Sequence, residues 1–283
     1  MRWEGRRQSD NVEDRRGMRV SRGGLVGGGL GTLAIALLVM FMGGDPTPIL
    51  QGAGPGPTQT TNEPYKESPQ EAQWRQEVAV ALADTEDVWG KAFAALGGQY
   101  RKPTLVLFAD AVESGCGFAE AAMGPFYCPA DEKLYIDLRF YQLMEERMGA
   151  GGDFARAYVV AHEVGHHVQN LLGISGQVHE LQQRDPAAAN QLSVRLELQA
   201  DCYAGIYAHG IDKYGDVLEA GDAEEAINAA KAVGDDTLQR SAGRAVVPDS
   251  FTHGSAEQRM RWFTTGYRGG SVDACDTFKS GDV

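Results

Sequence analysis

Between residues 70 and 96, apolar side chains recur at three- and four-residue steps: Trp74, Val78, Ala81, Leu82, Val88, Trp89, Ala92, Phe93 and Leu96. This predicts a long helix that ends at Gly97-Gly98. The short apolar run at 103–108 (PTLVLF) reads as a buried strand, and 133–138 (KLYIDL), after the Cys128-Pro129 turn, reads as a second. Helical spacing returns from Asp153 to Leu172, with Gly173 as the stop, and again over about 186–209, opened by Pro186. Residues 222–240 are rich in acids and read as helical and solvent-facing. Ser255 and Gln258 have the spacing of a capping box that opens a last helix through Phe263. The expected architecture is α+β, mostly helical with a small sheet, and no internal repeat is evident.

A different pattern precedes this domain. Residues 23–44 form an uncharged run whose centre, from Leu33 to Met42, is apolar on every face. As a helix it would span roughly 33 Å, enough to cross a hydrocarbon core of about 30 Å. Residues 1–22 carry seven arginines and four acids, and no basic residue follows Arg22 until Lys66. The positive-inside rule therefore predicts one transmembrane helix at 23–44, a cytoplasmic tail at 1–22 and an extracytoplasmic remainder. A cleaved signal peptide fits less well, because the run is long and lacks a small-residue cleavage site. The Pro-, Gly- and Thr-rich stretch 45–70 reads as a flexible linker, leaving 71–283 as the folded domain.

The chain has 283 residues, of which 43% are hydrophobic, and a formal charge of −13. That is too apolar for global disorder, and the acidic balance argues against a nucleic-acid partner. All four cysteines (Cys116, Cys128, Cys202, Cys275) follow the expected membrane span, where an oxidising compartment favours disulfides. Three pairings are possible. Cys116–Cys128, which closes a short loop, and Cys202–Cys275, which pins the C-terminal tail to a helix, are favoured, and no C-x-x-C spacing supports thiol metal binding.

The chemistry centres on His162-Glu163-Val164-Gly165-His166. The two histidines lie one helical turn apart on a stripe shared with Ala155 and Val159, so both imidazoles leave the same face. A divalent metal satisfies both, and Glu163 stands beside them to take a proton from water, the arrangement of a zinc-metalloprotease helix. Catalytic zinc takes three protein ligands. Gln169 and Leu172 stand where an extended three-histidine motif would have Gly and His, so the third ligand comes from elsewhere. Glu197 and Asp201, one turn apart on an otherwise apolar helix, are the best source: Glu197 as ligand and Asp201 orienting a ligating histidine. His179, His209 and Asp201 itself are lesser candidates for the third ligand. His167, off the ligand face, is expected to pack or to support a ligand.

HEVGHHVQ (162–169), ELQADCYAG (197–205), CGFAEAAMGPFYCPADEKLYID (116–137), FTHGSAEQRMRWF (251–263) and the opening MRWEGRRQSDNVEDRRG together resemble the bacterial membrane-anchored neutral zinc metallopeptidases of the zincin superfamily. The resemblance runs along nearly the whole chain. It implies a zincin-like domain with one Zn2+ on His162 and His166, and Glu163 as catalytic acid/base. A more distant similarity to CAAX-prenyl-type gluzincins matches Glu197 and Asp201 to their E-x-x-A-D motif, whose Glu ligates zinc. It also matches Thr252-His253 and Arg259 to a later Ser/Thr-His-Pro-Pro…Arg run, although Gly254 and Ser255 replace the prolines.

The expected function is a membrane-anchored zinc peptidase that hydrolyses peptide bonds with a zinc-activated water and Glu163 as general base. His253, or else Tyr203 or Tyr207, would hydrogen-bond the oxyanion, and the 133–138 strand would be an edge for an extended peptide substrate. The competing readings are a non-hydrolytic, metal-stabilised envelope protein and a zinc amidase acting on cell-wall peptides.

Overall fold

Ser68 opens the first long helix, α1 (Pro69–Ala95), by a capping box: its hydroxyl accepts from the Glu71 N–H while the Glu71 carboxylate accepts from the Ser68 N–H. In the computed structural model, which describes residues 1–18, 64–215 and 217–279, this helix runs for 27 residues. Its middle is buried almost all round, including the acids Glu77, Asp84 and Glu86. Such charges are tolerated only with partners, and most of these partners come from the N-terminal leader. Arg6 makes a two-pronged bond to Asp84 at 2.8 and 2.9 Å. Ser9, Asn11, Arg7 and Lys102 all bond the Glu86 carboxylate, which is held below the usual range against the opposing effect of burial. Arg156 closes on Glu77.

The leader continues as strand β1 (Val12–Asp14), which joins β2 (Thr104–Leu107) in parallel register. Beyond β2 the chain forms a hairpin, β3 (Ala111–Ser114) and β4 (Gly117–Glu120), then β5 (Phe126–Cys128) and β6 (Lys133–Ile136). The main sheet has the order β1-β2-β6-β5, with β6 parallel to β2 and antiparallel to β5. The apolar run of β2 is what a strand covered on both faces requires. β6 is paired on both sides, which corrects the expectation that 133–138 offers a free edge: its backbone groups are already spent on β2 and β5.

Helices α2 (Arg139–Met148), α3 (Asp153–Leu171), α4 (Ile174–Arg184), α5 (Ala189–Gly215), α6 (Asp222–Ala232), α7 (Asp235–Ser241) and α8 (Ala256–Gly269) complete the domain. α6 and α7 bury Ala226, Ala229, Ala230, Asp235 and Gln239, so the acid-rich 222–240 stretch is two half-buried helices and not one solvated face. The Ser255 capping box is present, and its helix runs six residues further than expected. Both favoured disulfides form, with Cα–Cα separations of 5.8 Å (Cys116–Cys128) and 5.6 Å (Cys202–Cys275).

Small residues bring the central helices together. A Cβ on Gly205 would sit 2.1 Å from the Phe263 carbonyl oxygen, and one on Gly266 would sit 1.9 Å from that of Cys202, so α5 and α8 touch backbone to backbone. Gly165 faces Ala200 in the same way, which sets α3 against α5.

The expected membrane helix at 23–44 lies outside the described residues. Among the described residues no helix is long and apolar enough to cross a membrane, so the single-pass anchor lacks support. The assignment of a cytoplasmic N-terminus and an extracytoplasmic domain is also corrected. Residues 1–14 are part of the domain, bonded to α1 and paired in its sheet, and one crossing between them would put bonded partners on opposite sides. Arg6 and Arg7 of the leader are counter-charges for the buried acids Asp84 and Glu86. Glu86→Ala, which removes the acceptor shared by four side chains, is expected to lower stability by about 3 kcal/mol. Urea unfolding reads this directly, and faster trypsin cleavage within residues 1–18 should accompany it.

Candidate metal centre

α3 carries His162 and His166 on the face turned to α5, with ring centroids 4.8 Å apart. Because Gly165 has no side chain, α5 approaches closely enough for Glu197 to reach both rings. His162 Nε2 is 3.2 Å from Glu197 Oε2, and His166 Nε2 is 3.4 Å from Oε1. The three residues form a cluster whose donor atoms all lie within 4.8 Å of one another. Zinc bonds of 2.0–2.1 Å in a tetrahedron place neighbouring donors about 3.4 Å apart. The nitrogen–oxygen distances match that edge, so the residues fit a zinc ion.

The outer nitrogens are tied down. His162 Nδ1 donates to Asp201 Oδ1 at 2.9 Å, and His166 Nδ1 donates to Gln169 Oε1 at 2.9 Å. The Gln169 amide can point only one way, since its Nε2 donates at 2.7 Å to the Leu196 carbonyl, which only accepts. Asp201, fully buried, likewise only accepts: from His162, from the Tyr158 hydroxyl at 2.5 Å, and from Arg259 at 2.8 and 2.9 Å. Both rings therefore hold a proton on Nδ1, which leaves Nε2, facing Glu197, as the atom that a metal would take.

The electrostatics agree. Burial opposes charging His162, yet Asp201 and Glu197 outweigh it and push its pKa up to about 10. Burial likewise works against the Glu197 carboxylate, but His166 and His162 hold it well below the usual range. A field that favours positive charge this strongly also favours a dication. Burial raises the Glu163 carboxyl against the pull of the two imidazoles, toward the basicity a proton acceptor needs.

The other sequence candidates separate cleanly. His253 stands on the loop before α8, its Nδ1 3.2 Å from Asp235 Oδ1, while Asp235 Oδ2 accepts from the N–H groups of Thr252, His253 and Gly254. His253 and Glu197 are near enough for each to shift the other's protonation. His167 is buried, bonded to the Tyr127 hydroxyl and the Arg101 carbonyl, and so packs as expected. His179 bonds Gln183 and His209 bonds the Tyr267 carbonyl, and neither joins the cluster. Tyr203 and Tyr207 pack against Trp89 and Phe154 in the core, closed to any substrate, which removes them as oxyanion donors.

Sequence reasoning missed Gln169, Tyr158 and Asp235 as supports. The first two had a signal, lying three residues after His166 and four before His162 on one helix face. Asp235 had none, because its contact is made between a helix start and a distant loop. A second acidic group, Asp153, Asp222 and Glu225, is already engaged: the Met1 amino group bonds the first two, and Glu225 accepts from the Phe154 N–H.

Two helices present paired imidazoles and a carboxylate, with a buried glutamate alongside, which is the geometry of an H-E-x-x-H metal centre. The chain belongs to the putative neutral zinc metallopeptidase family, whose sequence pattern matches residues 1–278. It is 48% identical over 290 residues to the uncharacterized protein YpfJ of Escherichia coli K12, covering 98% of this chain and 99% of that one. It is 46% identical over 195 residues to the uncharacterized protein Rv2575 of Mycobacterium tuberculosis H37Rv, covering 65% of each. No solved structure matches.

Proposed function

We propose that this protein is a zinc-dependent peptidase, with one zinc ion held by His162, His166 and Glu197. The observation that carries this reading is the convergence of two Nε2 atoms on the Glu197 carboxylate at the spacing of a tetrahedral edge. Three donors, not four, meet there among the described residues, which favours a catalytic site with an open position over a closed structural one.

When bound, zinc supplies Lewis acidity, acidifying a water and polarising a carbonyl. The chain's own residues do the rest. Glu163 accepts the water proton and delivers it to the departing amine. His253, its Nδ1 held by Asp235, presents Nε2 as a donor to the carbonyl oxygen as charge develops there. Asp201, itself neutralised by Arg259, keeps His162 in its ligating tautomer.

The test is a mixed peptide library incubated with the protein, with and without chelator, alongside zinc content. Chelator-sensitive cleavage with one zinc per chain is expected, whereas a stoichiometric zinc protein that cleaves nothing would point to the non-hydrolytic alternative. Glu197→Ala is expected to purify with less than a tenth of the wild-type zinc at equal loading, a loss on the order of 100-fold in affinity. Wild-type zinc content in that variant would mean that the third ligand lies elsewhere.

A further inference from the structure

The orientation of His166 can be traced, bond by bond, to the C-terminal end of the chain. Gln169 Oε1 accepts from His166 Nδ1, and Gln169 Nε2 donates to Gln199 Oε1 at 3.1 Å as well as to the Leu196 carbonyl. Gln199 Nε2 in turn donates at 3.0 Å to the main-chain carbonyl of Cys275. Gln169, Gln199 and Cys275 are 0%, 4% and 0% exposed, so water cannot replace a missing partner.

Each link has a forced direction. A carbonyl only accepts, so the Gln199 amide must turn its nitrogen to Cys275 and its oxygen to Gln169. Gln169 must then turn its nitrogen inward and its oxygen to the ring. Flipping either amide would set oxygen against oxygen at one end and N–H against N–H at the other.

The start of this chain of bonds is itself fixed. Cys275 is joined to Cys202, the residue after Asp201 on α5. Beyond it, the Thr277 hydroxyl donates to the Arg195 carbonyl at 2.7 Å, and the Arg195 guanidinium bonds the Thr277 carbonyl. The C-terminal segment is thus laced to the stretch of α5 that carries Glu197.

We propose that Gln169 and Gln199 form a one-way hydrogen-bond relay from the Cys275 carbonyl to His166, so that the disulfide-held C-terminal segment positions a metal ligand. This rests on the metal-centre reading above and adds to it two positioning residues and a distant structural element. Neither glutamine touches substrate or metal; they act through the ring.

The experiment measures zinc affinity of the full chain by competition with a chelator of known affinity, together with the visible absorption of the Co2+-loaded protein, which reports ligand geometry and not fold stability. Gln169→Leu is expected to weaken zinc about 10- to 100-fold. Gln199→Leu, which leaves the ring's direct partner in place, should cost about tenfold and shift the Co2+ bands. Gln169→Glu keeps an acceptor for Nδ1 but sets its second oxygen against the Leu196 carbonyl and Gln199 Oε1, so it should stay about tenfold weaker than wild type and shift the Co2+ bands.

If Gln169→Leu does not fold, as judged by circular dichroism, Gln199→Leu carries the test. Folded Leu variants with wild-type affinity and an unchanged Co2+ spectrum would overturn the relay, as would a Gln169→Glu variant with wild-type affinity. A wild-type chain that holds no zinc would overturn the metal centre and the relay with it. A zinc-binding wild type with indifferent variants overturns the relay alone.

Discussion

Glu163→Gln is expected to retain one zinc per chain and to lose peptide cleavage by at least about 10³-fold in kcat, equivalent to about 4 kcal/mol of transition-state stabilisation. The substitution is nearly isosteric at a side chain that is 6% exposed, so the fold and the His162–His166–Glu197 cluster stay intact. What disappears is a basic oxygen. An amide cannot take the proton from water or return it to the leaving amine, and the neighbouring carboxylates are already engaged. Glu197 faces both rings, and Asp201 is spent on His162, Tyr158 and Arg259. Single-turnover kinetics beside metal analysis checks both halves of the statement. Unchanged turnover would remove Glu163 as the base while leaving the metal ligands standing.

Gly165→Val is expected to abolish zinc binding without touching a ligand. A Cβ at Gly165 would lie 2.9 Å from the Ala200 carbonyl oxygen and 3.0 Å from its Cα. Both are backbone atoms of α5 and cannot rotate away, so the helices must separate. Zinc sites tolerate ligand displacements of only about 0.2 Å, and Glu197, three residues before Ala200, moves with α5. Gly165→Ala should already cost about 1–3 kcal/mol in overpacking and weaken zinc by about tenfold, while valine's two methyls force a larger gap. Chelator competition and thermal unfolding separate the two effects: the apo protein should still unfold cooperatively, only at lower temperature. Undiminished zinc affinity in Gly165→Ala would show that helix spacing does not set the site.

These two residues sit inside one five-residue motif, and the difference between them shows where sequence reading reaches its limit. Glu163 is legible because H-E-x-x-H needs only the period of a helix to place its groups. The pairing of Glu197 with Asp201 was legible for the same reason: two acids a turn apart on an apolar helix must have something to bind. Gly165 carries no chemistry, and its importance follows from Ala200, 35 residues away. Gln169 was visible only as a departure from the glycine of an extended three-histidine motif, although its amide holds His166. Arg259 could be matched to a motif, but its work, neutralising a fully buried Asp201, depends on α8 lying over α5 at Gly205 and Gly266.

The leader is the clearest correction. Seven arginines before an apolar run read as a membrane-flanking tail, since charge sign and order are all that a one-dimensional pattern offers. In the fold, Arg6 and Arg7 answer acids on α1, and β1 completes a sheet edge. Likewise 133–138 was recognisable as a strand but not as an inner one, because strand order is set by pairing across the chain.

The amino-acid sequence alone pointed to the long helices, favoured the two disulfide pairings and singled out the candidate metal-binding groups, all of which depend on periodicity, on caps or on the scarcity of a residue type. Only the tertiary structure decided which acids are neutralised, which way each imidazole carries its proton and how closely α3 and α5 approach. Those properties arise from contacts between residues far apart in the chain, where burial removes water as an alternative partner and leaves each donor and acceptor a single choice.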